Sequence, residues 1–180
     1  MGAMTGIVDR DLAGIVATAA GGDEVSFGRI VAAHDDEMYR VCVAVSRDEA
    51  IAADAVQAAW SIAWRKLGSV RQPERLRPWL VSVAVNETRK LLKKRQRRSH
   101  VEVALNATGE PGGVDPATGV ASLDLRSALE RLDPDDRALL AMRYVAGFNA
   151  SELATATGIS PSGTRTRLER LLARLRQELE

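Results

Sequence analysis

Between Asn106 and Val120 the chain reads Thr108-Gly109-Glu110-Pro111-Gly112-Gly113 and then Asp115-Pro116, with few apolar anchors. Glycine and proline at this density interrupt helices and strands alike, and the stretch has too little apolar surface to pack. It reads as a flexible linker, 99–121, that divides the 180 residues into 1–98 and 122–180. Domains under roughly 80 residues have little burial in reserve, so a partner is expected to supply part of the working stability. The apolar fraction of 46% is ordinary for a globular protein, and it is mostly Ala, Val and Leu, with two Phe, two Tyr and three Trp. That composition favours an all-α chain of two thin helical domains.

The apolar spacing before the linker is helical throughout. Asp9 to Ala20 reads as a helix ended by Gly21-Gly22, and a second starts near Asp23 with Val25, Phe27, Ile30 and Val31. Periodicity alone leaves open whether Met38-Tyr39, Val41-Cys42 and Val45 continue that helix or form another. Asp48 suits an N-cap for a helix to about Leu67, with Ile51, Ala55, Ala58 or Ala59, Ile62 and Leu67 spaced for one buried face. Trp60 and Trp64, four apart, lie along one line of it. A polar loop from Gly68 to Arg77 precedes a helix with Pro78 in its first turn and Trp79, Leu80, Val83, Ala84 and Leu91 as its pattern.

After the linker, Leu125, Leu129 and Leu132 line one helix. Asp133-Pro134-Asp135-Asp136 then sets an N-cap, a proline at N1 and an acid at N3. The helix that follows ends at Gly147, and Asn149 to Glu152 forms a second capping box. Thr157-Gly158-Ile159 is a tight turn, Ser160 caps the last helix, and Thr164, Leu168, Leu171, Leu172, Leu175 and Leu179 keep its period.

Net charge is only +1, yet Arg89, Lys90, Lys93, Lys94, Arg95, Arg97 and Arg98 form a run without an acid. Seven cations in ten positions exceed what a helix terminus needs, which points to a polyanion. A membrane-surface role fits less well, because the apolar stripe of this helix is wanted for the core. A single cysteine, Cys42, excludes an internal disulfide, and with only His34 and His100 beside it a zinc site is not expected. No apolar run spans a bilayer and no signal peptide precedes the first helix, which predicts a cytosolic protein without membrane insertion. Met1-Gly2-Ala3-Met4 has the look of an expression scar.

Two helices joined by a short Gly-containing turn over 149–176 form a helix-turn-helix pattern. Its second helix would bring Ser160, Ser162, Gly163, Arg165, Thr166, Arg167 and Arg170 to DNA, the arginines meeting phosphates or guanine edges. The plainer alternative is a three-helix bundle with a solvated polar face. Arg71, Arg75 and Arg77 beside Trp79 offer charge and stacking to unpaired bases, though such cations are common on loops. No acid–base pair, metal cluster or Gly-rich phosphate loop emerges, so neither catalytic residues nor a cofactor is expected.

Three stretches in one order carry a resemblance that runs from about Asp23 to Leu179. They are Ala53-Asp54-Ala55-Val56-Gln57-Ala58-Ala59-Trp60 with Ala63-Trp64-Arg65-Lys66-Leu67, then Arg77-Pro78-Trp79-Leu80-Val81-Ser82-Val83-Ala84-Val85-Asn86. The third covers Leu129 to Arg137, Gly147, Glu152-Leu153-Ala154, Gly158-Ile159-Ser160 and Arg165-Thr166-Arg167-Leu168. The chain resembles the extracytoplasmic-function group of bacterial sigma-70 factors, which are reduced to regions 2 and 4. The resemblance implies a promoter-specific initiation factor that binds core RNA polymerase. Asp54, Gln57, Trp60 and Arg65 would dock on the β′ clamp helices. Arg71, Arg75, Arg77 and Trp79, with Asn86, Arg89, Lys90, Lys93 and Lys94, would face the −10 element. Region 4 would sit on the β flap while Arg165 to Arg170 face the −35 element. An anti-sigma factor is an implied further partner.

Two departures stand out. Ala58 occupies a position that is usually acidic, which removes a charge from the polymerase face. Gly163 replaces a side chain at the start of the recognition helix, where glycine costs up to about 1 kcal/mol of helix propensity. A DNA-binding regulator that keeps the helix-turn-helix without engaging polymerase core is therefore the alternative reading.

Overall fold

The computed structural model describes residues 3–105 and 127–179, and every described element is helical. In order these are α1 (Ala3–Ala20), α2 (Glu24–Ser46), α3 (Glu49–Lys66), α4 (Leu76–Leu105), α5 (Pro134–Leu140), α6 (Ala150–Thr157) and α7 (Pro161–Leu179). Two 3-10 turns, Leu67–Ser69 and Pro73–Arg75, join α3 to α4, and a π-helical turn over Ala141–Val145 extends α5. The fold is all-α, with one cluster built on α2–α4 and another on α5–α7. None of the described helices is long and apolar enough to cross a membrane.

The expected helix starts are where side chains satisfy free N–H groups. Asp48 accepts from the Ile51 amide at 3.0 Å, and Asp133 accepts from Asp135 and Asp136, each at 2.8 Å. At α6 the capping box is reciprocal: Asn149 accepts from Glu152 N at 3.0 Å while Glu152 accepts from Asn149 N at 2.8 Å. Gly158 ends α6 in the left-handed region at φ 72°, where a Cβ would be strained.

Several expectations shift in register or extent. Residues 24–46 are a single helix, capped by Asp23. On α3 the buried face is Ala52, Ala55, Val56, Ala59 and Ala63, while Ile51 and Ile62 are only half-buried. The methyl side chains let α3 lie close against α2 and α4, which a face of isoleucines would prevent. Helix α4 continues to Leu105, so residues 99–105 of the expected linker lie in a helix. The rest of that linker, 106–121, and Met1-Gly2 lie outside the described residues.

A continuous apolar cluster runs from α1 through α4 and takes in Ala138, Leu139, Met142, Ala146, Phe148 and Leu153 from beyond the linker. The second cluster is small: Ala128, Leu132, Leu171 and Leu175. Met38, Cys42, Leu80, Ala84 and Phe148 are all completely buried. Burial pushes the Cys42 thiol up to about 11, which makes it an inert core residue, as its setting suggested.

Polar contacts accompany this packing between the halves. Arg137 Nε donates to the Val45 carbonyl at 2.8 Å and its Nη1 to the Leu132 carbonyl at 2.6 Å. Arg47 pairs with Glu130. The two halves are thus seated on one another.

Candidate nucleic-acid interface

Helices α6 and α7 and their turn form the expected helix-turn-helix. Ser160 Oγ accepts from Gly163 N at 3.1 Å, with Pro161 at the first helical position. Thr164, Leu171 and Leu175 point inward and are buried. Ser160, Ser162, Arg165, Thr166 and Arg170 are exposed on the opposite side. A Cβ built on Gly163 would lie 2.8 Å from Ile159 Cγ2 and 3.1 Å from Ser160 Oγ. A Cβ there would force the Ile159 side chain to shift, which gives a packing reason for a residue that helix propensity disfavours.

Arg167 behaves differently from its neighbours. Its Nε and Nη2 donate to Asp136 Oδ1 at 3.0 and 2.7 Å, and Asp136 is buried. A buried carboxylate without a cation would be strongly destabilising, so Arg167 is held as the anchor of α7 to α5.

On α3, Asp54, Gln57 and Arg65 share an exposed face. Trp60 does not stand on it freely. It is half-buried, donates from Nε1 to Asp35 Oδ1 at 2.7 Å, and packs edge-on to Phe27 with centroids 5.8 Å apart. Trp64 also meets Phe27, at 4.8 Å, so the two indoles converge on one ring.

The loop before α4 and the start of that helix form a groove of about 470 Å³, in which Arg71, Arg75 and Trp79 face Ser151, Glu152 and Thr155 of α6. Arg77 leaves this group. Its Nε and Nη2 donate to Glu37 at 3.0 and 2.6 Å, it also donates to the Ala146 carbonyl, and it lies 5.5 Å over the Phe148 ring. Further along α4, Asn86, Arg89, Lys90 and Lys93 line a cleft of about 590 Å³ together with Asp135 and Arg167. Arg89 Nε is 2.8 Å from Asp135 Oδ1 but off the N–H axis, an ionic contact without a hydrogen bond. Lys90 pairs with Glu87 and Arg95 with Asp48, while Lys93, Lys94, Arg97 and Arg98 are exposed. The Asp48 carboxyl is held below its ordinary range by the Ile51 amide first and Arg95 second.

One cleft thus brings Arg167, expected at the −35 element, beside Asn86, Arg89, Lys90 and Lys93, expected at the −10 element, which sequence reading did not anticipate. Glu37, Asp135, Asp136 and Arg137 were missed as contact residues. Their long-range partners are 31 to 92 positions away, so no local pattern signals them. The acids at 135 and 136 carried only a helix-start signature.

Comparison with known proteins covers both halves. Residues 30–98 match the family model of Sigma-70 region 2, and residues 122–175 match that of Sigma-70 region 4. A probable RNA polymerase sigma factor, RfaY of Xanthomonas campestris pv. campestris, is 31% identical over 89% of this chain. The chain spans 42% of that relative's length. The solved structure of CnrH in complex with the cytosolic domain of CnrY is 27% identical, covers 95% of this chain and 96% of its own, and superposes with a TM-score of 0.67. The sigma factor RpoE in complex with the anti-sigma factor NepR from Bartonella quintana shares the fold, with a TM-score of 0.68 over 85% of this chain and 96% of its own at 23% identity.

Proposed function

The chain belongs to the sigma-70 family of RNA polymerase sigma factors, as a member of the extracytoplasmic-function group, and on that premise we propose that it directs promoter-specific transcription initiation. The observation that carries this reading is the presence, in one chain, of a polar exposed face on α3 and an exposed cationic face on α7. Asp54, Gln57 and Arg65 dock on the β′ clamp helices, with Trp60 holding the α3 surface in shape through Asp35 and Phe27. Arg71, Arg75 and Trp79 receive an unpaired base of the −10 element, since stacking and neutralisation are what an exposed base needs. Asn86 and the cations from Arg89 to Lys94 follow its upstream backbone. Ser160, Ser162, Arg165, Thr166 and Arg170 contact the −35 element.

The division into 1–98 and 122–180 belongs to this reading too, with residues 99–121 between them, of which 99–105 continue α4. Separating two weak DNA-reading surfaces by a tether raises the effective concentration of the second once the first has bound. Region 4 also presents exposed Tyr144 and Val145 beside an apolar groove of about 590 Å³, which Ala44 and Arg47 of α2 help to line, and these two side chains suit the β flap. An anti-sigma factor would compete for these polymerase-facing surfaces.

Pull-down and run-off transcription with core polymerase test the proposal. Replacing Arg165 and Arg170 with Ala is expected to weaken promoter-dependent transcription, by about 1–3 kcal/mol for each base-reading contact, while core binding stays nearly unchanged. Replacing Asp54 and Gln57 with Ala weakens core binding itself, and transcription falls with it. Failure of the chain to bind core at about 1 μM overturns the proposal, because that affinity is modest for a specific interface. Ala58 favours the second reading, a regulator that binds duplex DNA alone, and a tight, specific gel shift without polymerase would establish it.

A further inference from the structure

We propose that Glu169, on the outward face of α7, reads a cytosine in the −35 element and so sets part of the promoter specificity of this chain. The proposal rests on the assignment of α7 to that element.

The outward face is fixed by what the other sides of the helix touch. Thr164, Leu171 and Leu175 are buried and define the inner side. Arg167 is turned aside to Asp136, its Nε and Nη2 lying 3.0 and 2.7 Å from Oδ1. Arg174, about two turns on, reaches toward Asp136 and Glu178, each at 3.8 Å. These two arginines occupy one flank. At about 3.6 residues per turn, the side opposite the buried row carries Ser162, Thr166, Glu169 and Ala173, with Arg165 and Arg170 at its edges. All six are exposed, and Glu169 is the one acid among them.

That carboxylate is unengaged. Among the described residues Glu169 has neither an ion pair nor a side-chain hydrogen bond. Arg165 stands one turn earlier, but a cation placed N-terminal to an acid is the weaker order for a helical pair. The acid is therefore free to meet whatever the face meets.

Against duplex DNA an unpaired carboxylate has few favourable positions. It repels the phosphates, and in the major groove it repels guanine N7 and O6 and thymine O4, which are all acceptors. Adenine offers its N6 donor only beside the N7 acceptor. Cytosine N4 is a donor with no acceptor beside it on its own base, so a carboxylate there has a discriminating match. Arg165 and Arg170 supply the attraction to phosphates that carries the acid into the groove. The small Ala173, one turn further on, lets the helix approach the base edges closely. A glutamine in place of Glu169 both donates and accepts, which matches adenine N6 and N7 instead.

The test uses holoenzyme assembled from core polymerase and the full chain. It transcribes a pool of barcoded linear templates randomised across the −35 and −10 elements, and the transcripts are sequenced. The wild type is expected to favour cytosine at one −35 position by about 5-fold to 150-fold. Glu169→Ala should flatten that position alone, and Glu169→Gln should move its preference to adenine. A merely structural role would scale output from all templates together and leave the base profile intact. Unchanged profiles in both variants overturn the proposal. A uniform rise or fall in output overturns it too, the rise making the acid a repulsive group only. Either result, with the wild type still selecting −35 sequences, leaves the proposed function standing. A wild type that binds core but selects no −35 sequence overturns the reading of α7 as well, and one that fails to bind core overturns the proposed function.

Discussion

Residues 24–105 bury a row of small side chains on α3 in one cluster with Met38, Leu80 and Val85, to which Val16 and Ala19 of α1 also belong. Residues 127–179 instead divide their apolar side chains. Ala128, Leu132, Leu171 and Leu175 form a small cluster of their own, while Leu139, Met142, Phe148 and Leu153 join the core of the first half. The difference teaches that the helix-turn-helix is stabilised partly by the core of the first half. A region with little private core is the one expected to open first, because local unfolding follows the density of buried apolar contact.

Truncation at the junction gives the largest expected effect. Phe148→Ala should cost about 3–5 kcal/mol, as for other buried aromatics. Hydrogen exchange should place the lost protection in residues 134–179 and spare α2 to α4. Equal loss in both halves would dissolve the contrast and make the chain one cooperative unit. A smaller effect is expected inside the second half. Gly163→Ala gains helix propensity but forces a Cβ within 2.8 Å of Ile159. Crowding should win by about 1 kcal/mol, so the melting temperature falls where propensity alone predicts a rise.

The smallest effect sharpens the contrast from the first half. Burial holds the His34 imidazole below its ordinary 6.5, with Glu37 opposing and Arg77 adding to the shift. The folded state therefore binds this proton less readily than the unfolded one. Stability is present above pH 6.5 and is lost as pH falls through the lowered folded value. Urea midpoints measured across that window should decline for the wild type and less steeply for His34→Gln.

Much of the site was legible before any coordinates. The caps at Asp48, Asp133, Asn149 and Ser160 were readable because each satisfies amides within three residues of itself. The outward positions of Asp54, Gln57, Arg165 and Arg170 followed from the helical period. The face of α3 was displaced because periodicity cannot distinguish alanines at a close helix crossing from alanines facing water. Gly163 looked like a defect, since the Ile159 methyl that excludes a Cβ arrives only when the turn closes.

The amino-acid order by itself determined where α2, α3, α5, α6 and α7 begin, because capping and amphipathic spacing act over a few residues. Only the tertiary structure decided which cations are free. Arg77, Arg89 and Arg167 are indistinguishable from Arg75, Arg165 and Arg170 in sequence, yet the first three meet Glu37, Asp135 and Asp136. Long-range ion pairs depend on how whole helices are seated, and that placement follows from apolar burial summed over both halves.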